Sequence, residues 1–239
     1  MTHWSYYVCS NGNPYVKSKK TPAWAPANNQ AQCKNCDSWK PDRVHHCSAC
    51  AECVMRMDHH CPWICKCVGY TNHKAFWLYV FYISLSCLIF DYRMIYWISH
   101  EYSAGLLFKH TFWFYFYLII HAPIIFMVGL MTTGLCIYHF QLALNNSTTL
   151  ESMGGANMRG CFESWSALEK KFVNKYDKGM LANLSEFFDD DPFWWWYPST
   201  KPYQYPSFFS EKMPEPGPSE VVQFLRQGRE EELTPEEKQ

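Results

Sequence analysis

Two apolar runs dominate the pattern of hydrophobic and polar positions. The first, AFWLYVFYISLSCLIF, lies between Lys74 and Asp91, and beyond Asp91 and Arg93 the apolar character resumes as MIYWIS to Ser99. Sixteen residues make only about 24 Å of helix against a hydrocarbon core of ~30 Å, so the span has to continue past Asp91. Asp91 and Arg93 then sit near one membrane interface. The second run is stronger, because from Thr111 to Leu150 only His121 and His139 can carry a basic or acidic charge. A helix from about Phe112 to Tyr138 spans comfortably, and Pro123 and Gly129 within it are tolerated in lipid. The competing reading, two helices buried in an aromatic-rich soluble core, is disfavoured by the length of these uncharged runs.

Basic residues give an orientation. Nine Lys and Arg lie between Lys17 and Lys74, against Lys109 alone between Ser99 and His110. Residues 1–74 are therefore expected in the cytosol, the short connection is lumenal or external, and the second span returns the chain to the cytosol. Residues 1–32 have no apolar h-region, so no signal peptide is readable. Downstream, Glu151 to Asp190 mixes apolar and charged residues at helical spacing, as in Trp165, Leu168 and Phe172, which predicts a small helical cytosolic cap. The run Phe193-Trp194-Trp195-Trp196-Tyr197 suits either the membrane interface or packing on that cap. Beyond Ser210, eight acids and four bases accompany Pro and Gln, a composition expected to be disordered.

The expected architecture is an α-helical integral membrane protein. Its parts are a cytosolic N-terminal segment (1–32), a cysteine-rich zinc domain (33–74), a transmembrane helix (75–99), a lumenal loop (100–110), a second transmembrane helix (111–138), a C-terminal cytosolic cap (139–200) and a Pro/Glu-rich tail (201–239).

Composition sharpens this. The chain has 239 residues, a net charge of −1, 18 % aromatic and only 18 % charged residues, so it is poor in charge for a soluble domain. Nucleic-acid binding is excluded as the main function by the absence of a basic footprint. Eight of the 12 cysteines fall between Cys33 and Cys67. In a reducing cytosol such a window binds zinc rather than forming disulfides. Knuckles at Cys33/Cys36 and Cys47/Cys50 suit two ligands each, and the rest must come from His46, Cys53, His60 and Cys67 or close neighbours, a partition that spacing alone leaves open.

Asp58-His59-His60-Cys61 carries the reactive chemistry. Cys61 is a nucleophile only as thiolate, His59 is placed to take its proton, and Asp58 can hold that imidazole in one tautomer. Because adjacent residues do not form a triad in a regular helix or strand, a strained or zinc-pinned loop is expected here.

The run C-x2-C-x3-K-P-x-R-x2-H-C-x2-C-x2-C-x3-M-D-H-H-C-P-W, followed by Cys67-Val68-Gly69, Asn72 and Phe76, resembles the cysteine-rich domain of DHHC protein S-acyltransferases (palmitoyltransferases). Thr148-Thr149-Leu150-Glu151 resembles their TTxE motif, and Asn174-x-Tyr176-Asp177-x-Gly179 with Asn183 resembles their C-terminal motif. The resemblance covers about Gln32 to Asn183. It implies that Cys61 takes a palmitoyl-type acyl group from acyl-CoA and passes it to cysteines of substrate proteins. It also implies one structural Zn²⁺ on Cys33, Cys36, His46 and Cys53 and another on Cys47, Cys50, His60 and Cys67, with His59 left as base. By the same resemblance Thr149 would bond near Asp58, Glu151 would belong to the same supporting motif, and Asn183 would anchor the cap to the membrane helices. Implied partners are membrane lipid and cytosolic or membrane-attached substrate proteins, and the implied location is an endomembrane (ER, Golgi or vacuole) with the active site facing the cytosol.

Two departures carry expectations of their own. Ile64-Cys65-Lys66-Cys67 has Lys66 where the family usually has Asn, and adds Cys65 as a spare thiol that can compete for zinc or become acylated. The family's two spans ahead of the cysteine-rich domain are not seen before Cys33, which would leave an acyl groove lacking half its wall. The chain is then a truncated version of a longer enzyme, feeble alone, or pairs with something that supplies the wall, or is a catalytically weak or inactive zinc-bearing membrane adaptor.

Overall fold

Closely spaced cysteines leave segments too short for helix, and the chain folds there into antiparallel hairpins with strands of two to four residues. Strand β1 (Gln32–Cys33) pairs with β2 (Ser38–Trp39), β3 (Val44–Cys47) with β4 (Glu52–Met55), and β5 (His59–Cys61) with β6 (Lys66–Val68). The structure is a computed structural model and describes residues 1–16, 32–40, 43–106, 110–153, 163–166, 171–174, 176–188 and 190–199. The tail 201–239, Lys109 and Leu168, to which expectations were attached, lie outside these residues.

The residue after each Cys-x-x-Cys knuckle is left-handed, Asp37 at φ 47° and Ala51 at φ 54°. Cys65, which closes the 3-10 turn Pro62–Ile64, is left-handed too, at φ 51°. Such conformations cost non-glycine residues about 1 kcal/mol or more and persist where the surroundings over-determine the loop.

After Asn72 the chain enters α2 (His73–Ser103), and α3 (Phe112–Leu144) runs back beside it. Their 31 and 33 residues make helices of about 46 and 50 Å, longer than a ~30 Å hydrocarbon core. Both extend past the limits read from the sequence, α3 by six residues beyond Tyr138. In the most apolar window of α3 only 6 % is buried, and in that of α2 33 %. A helix in a soluble core turns its apolar side inward, so the soluble-core alternative does not fit.

The two helices approach closely at Gly129, where a Cβ would come within 2.9 Å of Cys87 Cβ. The indole of Trp77 donates to the Cys136 carbonyl at 3.1 Å, and the Ser84 and Thr133 hydroxyls meet at 2.6 Å. Burial is concentrated at one end of the pair, in the first turns of α2 and the last turns of α3, where the hairpins dock. Helix α1 (Thr2–Asn11) packs there as well. Asn72 donates to the carbonyls of Cys9 (3.2 Å) and Cys67 (3.0 Å) and accepts from the Gly69 amide (2.9 Å).

Beyond α3 come α4 (Thr149–Met153), the hairpin β7 (Glu163–Ser166)/β8 (Lys171–Asn174), and α5 (Met180–Phe188). The helical reading of Trp165 and Phe172 is therefore corrected. Their spacing of seven mimics two helical turns, but the hairpin register sets the two residues opposite each other.

The aromatic run after the 3-10 turn Pro192–Trp194 lies along the start of α2. Lys74 Nζ donates to the Trp194 carbonyl at 3.0 Å and the Tyr82 hydroxyl donates to that of Trp196. The Trp195 ring stacks on Phe188, 5.3 Å between centroids, while Phe193 and Trp196 remain exposed.

Candidate active site

Strand alternation builds the site. In the β3–β4 hairpin His46 pairs directly with Cys53, and in β5–β6 His60 pairs with Cys67. Directly opposed residues on one face bring their side chains together, so each hairpin presents a ready His/Cys pair to the knuckle that precedes it. Cys33, Cys36, His46 and Cys53 gather in one cluster, and Cys47, Cys50, His60 and Cys67 in a second, with the ligand atoms of each within 4.8 Å of one another.

In the first cluster Cys36 Sγ is 3.2 Å from His46 Nδ1 and 3.7 Å from Cys53 Sγ. In the second, His60 Nδ1 is 3.6, 3.4 and 3.7 Å from the sulfurs of Cys47, Cys50 and Cys67. Ligands on a tetrahedral zinc with bonds of ~2.0–2.3 Å are about 3.4–3.8 Å apart. Both clusters thus match a Cys₃His donor set, and the separations exclude S–S bonds. Cys65 belongs to neither: it is exposed, with its thiol 3.4 Å from the Pro62 carbonyl.

The same alternation sorts the reactive residues. His60 points to a metal cluster, and its neighbours His59 and Cys61, two apart on β5, share the other face. Residues 58–61 are not among those with positive φ, so of the two alternatives, a strained or a zinc-pinned loop, the first is not needed: a short strand does the sorting, with His60 and Cys67 of its hairpin in a metal-capable cluster. His59 Nδ1 lies 2.7 Å from Asp58 Oδ2. Asp58 is fully buried and accepts from the Thr149 amide through Oδ1 and from the Thr149 hydroxyl through Oδ2, both at 2.8 Å.

Burial opposes ionisation of Asp58, but His73, the hydrogen bond with His59, His139 and the Thr149 amide outweigh it and hold the carboxyl well below the usual range. Burial also works against a charged His59, yet its hydrogen bonds with Asp58 and Cys61 raise it to about 9. Cys61 is lowered: burial resists the thiolate, while His59 and the amides of Ile64 and Trp63 favour it. Both shifts run the same way, toward the thiolate–imidazolium form of the pair.

Sequence reasoning gave no role to His73, His139, Arg43, Arg56, Asn146 or Glu186, which join the expected Glu151 and Asn183 in this neighbourhood. His73 and His139, from the two long helices, are buried behind Asp58. Arg43 Nε and Nη2 clasp the Glu151 carboxylate at 2.7 and 2.8 Å, Nη1 donates to the Asn146 side chain (3.0 Å), and Nη2 donates also to the Asn146 carbonyl (2.9 Å). Asn146 also accepts from Arg56 (2.8 Å) and donates to Glu186 (2.9 Å). Asn183 donates to the Leu144 carbonyl at the end of α3 (2.7 Å) and to Asp177 (2.6 Å) and accepts from the Lys178 amide (2.9 Å). A histidine closing an apolar span was the one readable sign, and it did not distinguish His139 from His121, which lies against Tyr117.

The site thus sets a cysteine and an imidazole on one face of β5, beside two Cys₃His clusters with metal-ligand spacing, at the foot of two helices long and apolar enough to cross a membrane. The chain matches the DHHC palmitoyltransferase family over residues 27–155 and belongs to that family. It is 34 % identical over 155 residues to palmitoyltransferase pfa3 of Neurospora crassa, covering 65 % of this chain and 24 % of that protein. It is 32 % identical over 181 residues to palmitoyltransferase ZDHHC15 of Rattus norvegicus (73 % and 49 %) and 34 % identical over 158 residues to palmitoyltransferase ZDHHC20 of Homo sapiens (59 % and 41 %). The chain thus spans less than half the length of each of these relatives.

Proposed function

We propose that the chain is a protein S-acyltransferase that moves a palmitoyl-type group from acyl-CoA through a Cys61 thioester to cysteines of substrate proteins. The observation that carries this reading is the arrangement of His59 and Cys61 on one face of β5 with Asp58, held by Thr149, behind the imidazole. The Cys61 thiolate attacks the thioester carbonyl, forming the acyl–Sγ bond and breaking the acyl–CoA bond. Coenzyme A leaves as a thiolate and takes the proton from His59. In the second half the substrate cysteine gives its proton to His59 and attacks the acyl group, and Cys61 departs as thiolate. Asp58 stabilises the imidazolium before the first transfer and after the second, and fixes the orientation of the ring throughout.

Two Zn²⁺ ions, held by Cys33, Cys36, His46 and Cys53 and by Cys47, Cys50, His60 and Cys67, would supply structure rather than chemistry, since each donor set is complete at four. The second of them, on His60 of β5 and Cys67 of β6, would pin both strands of the hairpin that carries Cys61. Glu151 keeps α4 in place through Arg43, and Asn183 ties the C-terminal segment to the end of α3. The cysteine-rich part, with nine basic residues by Lys74, faces the cytosol of an endomembrane.

Incubation of the purified full chain with a long-chain acyl-CoA should give a hydroxylamine-sensitive acyl adduct on Cys61, absent from Cys61→Ser. A wild-type chain that retains two zinc ions yet leaves Cys61 unlabelled would overturn the reading.

A further inference from the structure

Behind the catalytic pair lie two imidazoles that the acyl transfer does not require. His73 opens α2 and His139 stands near the end of α3, and both are almost wholly buried against Asp58. His73 Nε2 and His139 Nδ1 face each other at 3.2 Å. His73 Nε2 is 3.7 Å from Asp58 Oδ1, and His139 Nδ1 is 3.9 Å from Asp58 Oδ2. The last two separations are too long for hydrogen bonds. The His73–His139 contact is within hydrogen-bond reach and also near the ~3.4 Å edge between ligands on a tetrahedral zinc with bonds of 2.0–2.1 Å, and the two contacts to Asp58 are somewhat longer than that edge. Donor atoms of Asp58, His59 and His139 lie within 4.8 Å of one another; His59 Nδ1 is 2.7 Å from Asp58 Oδ2, and His73, outside that set, adjoins it through His139 and Asp58. Phe76 and Phe187 set their rings against the cluster, so its polar atoms converge within an apolar wall.

We propose that Asp58, His73, His139 and His59 form a third, inhibitory site for a zinc-class divalent cation, separate from the two cysteine-rich clusters. Imidazole and carboxylate donors suit Zn²⁺, and without thiolates the site holds it less firmly than the Cys₃His clusters do. The structure gives a further reason for weak binding. His73 Nδ1 is buried without a hydrogen-bond partner among the described residues, and ligation through Nε2 would place the ring proton on that atom, whereas metal-binding histidines ordinarily pair it. The site therefore fills only when free zinc rises and empties when it falls. His59, the most exposed of the four at 27 %, is the side of entry, and its ring can swing to lengthen the short edge to Asp58. An ion seated there takes both the carboxylate and the imidazole that serve Cys61, so acyl transfer stops while the fold is kept. The inhibitory part of this inference rests on the acyltransferase reading, but the site itself does not.

The test uses the full chain in detergent micelles, loaded with its first two zinc ions and equilibrated with zinc buffers of increasing free concentration. Elemental analysis should show a third equivalent bound reversibly by the wild-type chain and by Cys65→Ser, which removes the exposed thiol as a rival ligand. His139→Gln and His73→Gln, each checked for retention of the first two ions, should bind the third at least tenfold more weakly. In parallel, Cys61 thioester formation by wild type should fall as the third equivalent binds and return with a chelator too weak to strip the thiolate sites. Saturation of wild type at two ions, or a third equivalent unaffected by both histidine substitutions, overturns the site. A third equivalent that leaves thioester formation unchanged overturns the inhibition. Absence of thioester from the two-zinc protein at low free zinc refutes the acyltransferase reading instead, and the metal titration still decides the site.

Discussion

The ion pair between Arg43 and Glu151 offers the sharpest test of how the cysteine-rich part and the membrane helices are joined. Arg43 lies just before β3 and Glu151 on α4, 108 residues later, with side chains 10 % and 3 % exposed. An exposed pair would contribute about 0–1 kcal/mol, but this one is bidentate and buried. Replacing Arg43 by Met removes two bonds to Glu151, two to Asn146 and the stacking of the guanidinium 4.3 Å above the Tyr176 ring. Glu151 would keep the Thr148 amide but lose its countercharge, and stranding a buried charge in this way costs about 3–5 kcal/mol. Glu151→Leu strands Arg43 in turn. The double substitution strands neither, so it should cost clearly less than the two single changes added together, with a coupling of at least about 2 kcal/mol. The assay is a double-mutant cycle on denaturant midpoints of the purified chain in micelles, at constant slope, with zinc release and tryptophan emission as probes. The single variants should also form the Cys61 thioester poorly, because Thr149, two residues before Glu151, supplies two of the donors that hold Asp58. Additive single effects, or single losses within about 0.5 kcal/mol, would show that the pair behaves as a surface contact and refute the argument.

The pH profile of thioester formation follows from the thiolate–imidazolium pair. The rate should rise as Cys61 ionises below the ordinary thiol range, hold level, and fall as His59 loses its proton near pH 9. The groups facing the pair are Asp58, Cys9 from α1, Tyr79 from α2 and His139 from α3. A rate still climbing through pH 9 like that of an ordinary thiol would contradict the pair. Elemental analysis should find two zinc ions per chain in Cys61→Ser but fewer in Cys47→Ala, since only Cys47 lies in a metal cluster. Equal losses in both would separate the clusters from metal binding. In sealed vesicles Ser103→Cys, near the far end of α2, should resist a membrane-impermeant thiol reagent added from the cytosolic side, and ready labelling there would reverse the proposed orientation.

The parts legible in the sequence were those with a local signature. Two uncharged runs announced α2 and α3, and paired Cys-x-x-Cys knuckles announced the metal clusters. The division of ligands between the clusters was not legible from spacing, because it depends on hairpin register: His46 opposite Cys53 and His60 opposite Cys67. Register is a pairing between strands, and a list of intervals along one strand does not contain it. The β7–β8 hairpin was missed for a related reason, since residues seven apart suit both successive helical turns and opposed strands. Arg43, Asn146 and Glu151 form one network across more than a hundred residues, and nothing near any of them in the chain points to the others.

The three residues of β5 explain why soft metal ligands and membrane helices occur together here. One face of the strand carries His60 toward the second cluster. The other carries His59 and Cys61 toward Phe76 of α2 and His139 of α3, with ring separations of 5.0 and 5.7 Å from His59. A strand so short has too few ladder hydrogen bonds to hold its own register. A one-residue slip would exchange the faces and send Cys61 to the metal side. Ligation of His60 and Cys67 to a metal would fix one face, and the bond network from Thr149 through Asp58 fixes the other, so each side opposes the slip that would ruin the other. In the proposed reaction Cys61 needs both supports: the metal cluster would set which way Cys61 points, and the end of α3 sets what it meets.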